Sequence, residues 1–109
     1  MKQIMQWLIL AALGNSVAIG AIIAAQPDAA RRAELIDLLK QDCGACHGMR
    51  LKGGLGPALT PDAIGRLSIE TISATILHGR PGTPMPPWQP FMSQDEAVWL
   101  AGQLKAGVD

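Results

Sequence analysis

Both cysteines of the chain and one of its two histidines fall in a single five-residue segment, Cys43-Gly44-Ala45-Cys46-His47. Two thiols separated by two residues, with an imidazole beside them, must serve either each other or a shared third party. Three chemistries use that spacing. A small-ring redox disulfide sits at a strand-to-helix junction, and no strand pattern precedes Cys43. A structural zinc site needs four thiolates or imidazoles; His78 is the one further candidate, so both histidines would have to join, without the paired spacing that zinc ligands show. The third chemistry is covalent haem, in which the two thiols add to the vinyl groups of one porphyrin edge and His47 is delivered to the iron by the same turn. This reading is the strongest of the three, with zinc and a redox dithiol as the alternatives.

The size of the chain points the same way. Lys2 is followed by a charge-free run from Trp7 to Ala25 in which Leu, Ile, Ala and Val dominate, the layout of a secretory signal. Residues 1–25 are therefore expected to be a signal peptide, cut after Ala25 or after Gly20. The run is also close to the length that spans a bilayer, so a retained membrane anchor is the alternative. Either way the remainder is expected on the outer side of the membrane. Residues 26–109 form one domain of 84 residues, a size that buries too little of its own surface to be comfortable without a staple. A porphyrin supplies that staple as a large apolar disc on which side chains can pack.

The rest of the pattern is helical. Asp28 is a suitable N-cap for a first helix from Ala29 to about Gln41, with Leu35, Ile36, Leu38 and Leu39 on one broad face. Gly53, Gly54, Gly56 and Pro57 break the next stretch into a loop, whose Gly56-Pro57-Ala58-Leu59 portion can bring a backbone carbonyl to the free ring nitrogen of His47. Thr60 with Pro61 opens a short turn through Arg66, and Ser68 caps a helix from Ile69 to His78 that buries Leu67, Ile69, Ile72, Ile76 and Leu77 and stops at Gly79. Five prolines in the eleven residues from Arg80 to Pro90 exclude helix and central strand. Ser93 with Glu96 forms a capping box for a closing helix that ends near Gly107, with Ala97, Val98, Leu100, Ala101 and Leu104 facing inward. The fold class is all-α.

Iron in a porphyrin has a second axial position. Met85 lies 38 positions after His47 on the proline-stiffened loop, between Pro84 and Pro86, and a thioether held there suits an iron that cycles between two charges. Met49 is too close to His47 in the chain to reach the opposite side. Met92, just before a helix cap, reads as packing. His78 is the rival ligand, although its place in the last turn of a helix also gives it a plain role at the negative end of the dipole. The expected site is therefore Cys43 and Cys46 for covalent attachment, with His47 proximal and Met85 distal on the iron. Arg80 and Lys52 are candidate cations for the propionates, with solvated surface as the default reading of any single cation, and Trp88 is the aromatic nearest the methionine loop.

A formal net charge of zero and a pI near 6.7 provide no field for a phosphate backbone, so nucleic acid is not an expected partner. No Ser/His or paired-carboxylate constellation suggests non-haem catalysis.

The Cys43–His47 motif, the Gly56-Pro57 loop, the Met85 loop and the capped last helix together resemble a small class I cytochrome c, with helices wrapped around one covalent haem. Gly79-Arg80-Pro81-Gly82-Thr83-Pro84-Met85-Pro86-Pro87-Trp88 is similar, more narrowly, to the cytochrome c55X (NirC) proteins of denitrifying bacteria. Class I proteins pair a glycine and an aromatic of the first helix with an aromatic of the last; here the matching first-helix positions are Leu35 and Leu39, and Trp99 is the aromatic of the last helix.

The resemblance implies a periplasmic, monomeric, monohaem electron carrier rather than an enzyme, supplying single electrons to cytochrome cd1 nitrite reductase. An accessory part in haem d1 biogenesis or reductase maturation is the alternative. With no strong field of one sign, docking is expected to use the apolar rim of Pro86, Pro87 and Trp88, and to depend more on Trp88 than on Lys105.

Overall fold

Asp28 starts the first helix by accepting the backbone N–H of Arg31 on Oδ1 at 2.8 Å, as its short side chain in an extended cap position allows. In the computed structural model, which describes residues 26–108, α1 runs over Ala29–Leu38. The leader proposed for residues 1–25 lies outside the described residues. The helix does not end near Gln41 as its apolar pattern suggests. Leu39–Cys43 forms a single wide turn closed by the Gly44 N–H on the Leu39 carbonyl, and α2, Gly44–His47, continues from it without a break. The extra residue in the wide turn is a π-bulge, a feature often found at functional sites.

A loop of turns then leads to α3, Pro61–Ile64. Pro61 stands at its first position as expected, but Thr60 makes no side-chain capping bond. Helix α4, Ile69–His78, begins at Ser68, whose hydroxyl accepts the Thr71 N–H at 3.0 Å. The proline-rich loop contains one short 3₁₀ turn, Gln89–Phe91, and α5, Gln94–Ala106, opens with the complete Ser93–Glu96 capping box. There is no strand among the described residues.

The core lies where α1, α4 and α5 meet. Leu35, Leu39, Leu100 and Leu104 are its largest fully enclosed side chains, each worth roughly 1.5–3 kcal/mol of transfer free energy. Ala97 and Ala101 have no accessible surface, and their small size permits close approach to the helices that cover them. Leu35 of α1 and Leu39 of the wide turn, the two positions matched above to the family's glycine and aromatic, both lie in this centre, with Trp99 half-buried against it.

On α4, Ile72, Ile76 and Leu77 are buried as expected, whereas Leu67 is 44% exposed and Ile69 is only half-buried. Leu67 precedes the Ser68 cap and so falls outside the helical face that its spacing suggested. Val98 is likewise half-buried. Leu51 is buried with φ of +57°, a left-handed conformation that costs a branched residue about 1–2 kcal/mol. Its carbonyl accepts the Leu59 N–H at 2.8 Å, which ties the loop across its middle.

Two polar straps close the periphery. Arg31 of α1 donates through Nε to Glu96 of α5, through Nη1 to Glu34 at 2.9 Å and through Nη2 to the Phe91 carbonyl at 2.8 Å. Glu96 is held below the usual carboxylate range, first by the Arg31 hydrogen bond and then by the Ser93 N–H. Lys105 reaches from α5 to the Leu67 carbonyl at 2.5 Å, so it secures the corner between α3 and α4 and is not a free surface cation.

Candidate functional site

Because the helix runs unbroken through the motif, Cys43, Cys46 and His47 are carried by one rigid segment. Both cysteines are free thiols. Cys43 is half-buried and packs against the core cluster, while Cys46 is exposed. Burial, with a smaller contribution from the Asp42 charge, pushes the Cys43 thiol up to about 11. Two thiols one helical turn apart, presented at different depths, suit a bulky planar group that is partly inside the protein and partly at its rim.

His47 is fixed by the loop that follows it. Nδ1 stands 2.6 Å from the Pro57 carbonyl oxygen. That oxygen can only accept, so Nδ1 carries the proton and donates, and Nε2 keeps its lone pair for a metal. The carbonyl therefore comes from Pro57, within the four-residue stretch that the sequence singles out. The helix end is capped by the same loop. Gly56 N–H donates to the Cys46 carbonyl at 2.8 Å and Gly53 N–H to the His47 carbonyl at 2.7 Å. Gly56 has to be glycine here: a Cβ would lie 2.9 Å from Nδ1 and Cε1 of the His47 ring, well inside contact distance.

Met85 comes from a different element. Its loop is tied across itself by Arg80 N–H on the Met85 carbonyl at 3.2 Å and fastened to α4 by Trp88 N–H on the Ile76 carbonyl at 3.0 Å. Gly79, at φ of +66°, lets the loop fold back, since a Cβ there would be 2.6 Å from the Met85 carbonyl oxygen. Met85 is half-buried, and Trp88 packs against the core.

The rival methionines and histidine stand elsewhere. Met92 is buried in the core and Met49 is 71% exposed. His78 is exposed and lines an open groove of about 490 Å³ with Glu70, Leu77, Met92 and Ser93, in which Met85 takes no part.

Sequence reasoning missed Phe91, 60% exposed beside Trp88 with ring centroids 5.6 Å apart. It also missed a basic hollow of about 250 Å³ lined by Lys40, Arg50 and Lys52. The hollow places Lys52 with two other cations, a grouping invisible until the wide turn and the loop are brought together.

Two free thiols, an imidazole locked in one tautomer by a main-chain acceptor, and a stiff loop presenting a thioether are a donor set that fits haem c. The set holds too few thiolates and imidazoles for zinc: no group of three or more His, Cys, Asp or Glu side chains gathers among the described residues.

Comparison with known proteins agrees. Residues 29–102 match the family model described as cytochrome c oxidase, cbb3-type, subunit III. The chain is 58% identical over 81 residues to cytochrome c55X of Pseudomonas aeruginosa, covering 74% of this chain and 68% of that one. The solved structure of the c-type cytochrome NirC superposes with a TM-score of 0.72 at 57% identity, covering 73% of this chain and 94% of that one. The dihydro-haem d1 dehydrogenase NirN, solved in complex with DHE, matches with a TM-score of 0.61 at 36% identity over 67% of this chain but only 16% of its own. The small all-α cytochrome c fold expected from the sequence is thus the fold observed. The chain belongs to the class I c-type cytochromes of the cytochrome c55X type, a family whose cofactor is covalently bound haem c with its iron.

Proposed function

We propose that this protein is a single-electron carrier in denitrification, not an enzyme, with haem c attached through Cys43 and Cys46 and its iron held by His47 and Met85. The single observation that carries the reading is the 2.6 Å contact between His47 Nδ1 and the Pro57 carbonyl. It does two things that an electron carrier needs: it leaves Nε2 free to bind a metal, and it fixes the ring against reorientation.

Bound haem supplies an iron that changes charge by one. The chain's residues supply rigidity. The helix through Cys43 and Cys46 holds two anchor points in one piece, and the loop ties at Arg80 and Trp88 restrain Met85. Were haem iron held by both His47 and Met85, it would have no position left for a substrate.

Residues 1–25 serve as the export signal and residues 26–109 as the functional domain, working as a monomer in the periplasm. No helix among the described residues is long and apolar enough to cross a membrane.

The electron acceptor in this reading is cytochrome cd1 nitrite reductase. Pro86 and Pro87 are exposed next to Trp88, and Phe91 adds a further exposed ring, so a brief, small and partly apolar contact is available. Stopped-flow mixing of the reduced protein with oxidised reductase tests this: rapid reoxidation that varies little with salt supports it, and no transfer at any salt concentration overturns it.

A part in haem d1 biogenesis is the second reading. It is favoured by the likeness to a portion of dihydro-haem d1 dehydrogenase, which shows this kind of domain in a protein whose name places it at that cofactor. A gene deletion separates the two. Reductase that retains haem d1 but lacks its electron supply marks a carrier, and reductase without haem d1 marks a biogenesis role.

A further inference from the structure

Within Pro84-Met85-Pro86-Pro87 only one residue has a backbone N–H, because proline has none. That donor, of Met85, meets Thr83 Oγ1 at 3.3 Å. The same hydroxyl donates its proton to the Arg80 carbonyl at 2.7 Å. Arg80 in turn donates its N–H to the Met85 carbonyl at 3.2 Å. The result is a closed ring of hydrogen bonds, Met85 to Thr83 to Arg80 and back to Met85. Both main-chain polar groups of Met85 are engaged in it, and every member is backbone except the Thr83 hydroxyl.

We propose that Thr83 is a positioning residue for Met85: its hydroxyl holds the methionine's backbone in place and so sets how readily the thioether leaves the iron. The proposal rests on the reading of Met85 as axial ligand. Thr83 is exposed and belongs to no core cluster, so its side chain has no packing role to confuse with this one. The prolines stiffen the loop but cannot themselves fasten Met85, since they bring no donor. Without the hydroxyl, the Met85 N–H has to turn to water, and the loop keeps only the Arg80 N–H to the Met85 carbonyl as a cross-tie through that residue.

The test uses the oxidised holoprotein and titrates it with imidazole, which competes with the thioether for iron, while the weak sulfur-to-iron charge-transfer band is followed. Thr83→Val keeps the branched shape and removes the hydroxyl; Thr83→Ser restores it. Loss of the two hydroxyl bonds should raise the apparent affinity for imidazole roughly tenfold in Thr83→Val, with a return to near wild-type affinity in Thr83→Ser.

Wild-type affinity in Thr83→Val, or equally raised affinity in Thr83→Ser, overturns the proposal. Met85→Ala keeps its failure apart from that of the ligand reading. If Met85→Ala retains the charge-transfer band, Met85 is not the ligand and both claims fall. If it loses the band while Thr83→Val binds imidazole like the wild type, only the role of Thr83 is lost.

Discussion

Arg31 and Glu96 occupy the same place, the third residue, in the first and last helices, and pair across the gap between them. The pair joins the start of the helix that carries the cysteines to the start of the helix that closes the core. Glu96 also accepts the Ser93 N–H at 2.8 Å, so one carboxylate serves a helix cap and an inter-helix tie together.

This relationship predicts a pH dependence. The folded-state pKa of Glu96 is lowered, so its stabilisation is fully present above the ordinary carboxylate value of about 4.3. It is lost as the pH falls through the lowered value. Glu96→Gln keeps a side chain able to complete the capping box but removes the charge. Urea denaturation should give a lower midpoint for Glu96→Gln than for the wild type at pH 7, and the gap should close as the pH falls below about 4.3. A gap that widens on acidification contradicts the assignment.

Core and surface positions should separate cleanly. Leu35 has no accessible surface and Leu67 is 44% exposed. Leu35→Ala should cost about 2–5 kcal/mol and Leu67→Ala less than about 1 kcal/mol, measured by denaturant unfolding of the holoprotein. Similar losses at both positions would mean that the packing is misassigned.

Two glycines should respond in different ways. Gly56→Ala forces a methyl to 2.9 Å from the His47 ring, weakening the Nδ1–carbonyl bond that makes the imidazole a more basic ligand. A poorer donor stabilises oxidised iron less, so the reduction potential should rise. Gly102 sits inside α5 with nothing within 4 Å of its Cβ position. Gly102→Ala should stabilise the protein by roughly 0.5–1 kcal/mol and leave the potential unchanged. Redox titration together with thermal melting reads both.

Docking should depend on the aromatic pair. Trp88→Ala is expected to slow electron transfer to cytochrome cd1 nitrite reductase roughly tenfold, the scale of an interface anchor, and Phe91→Ala by a smaller factor. Lys105 cannot serve as the neutral comparison, because its ammonium binds the Leu67 carbonyl. The exposed Arg32 is the proper control, and Arg32→Ala should leave the rate within about twofold. Equal slowing in the tryptophan and arginine variants would place the contact elsewhere.

Much of this architecture was legible because its signals are local. The Asp28, Ser68 and Ser93 caps, the Gly79 stop and the Gly56-Pro57 loop each involve residues within a few positions of one another, where side-chain type dictates geometry. The Cys43–His47 spacing carries its chemistry in five residues. What escaped is what depends on distance in the chain. The reach of Arg31 to Glu96 spans 65 positions and that of Lys105 to the Leu67 carbonyl spans 38, and neither leaves a mark on hydrophobic periodicity. The wide turn at Leu39–Cys43 was hidden for a different reason, since an apolar pattern that loses phase reads as a helix end when the helix has only gained a residue in one turn. Leu67 looked buried because its spacing fits the α4 face, but the Ser68 cap excludes it from the helix.

If His47 and Met85 hold the iron of a covalent haem, the near-red absorption of the oxidised holoprotein must set Met85→Ala apart from the wild type and His78→Ala. The wild type should show the weak sulfur-to-iron charge-transfer band, Met85→Ala should lack it, and His78→Ala should keep it. A band that survives Met85→Ala, or that disappears in His78→Ala, would contradict the account.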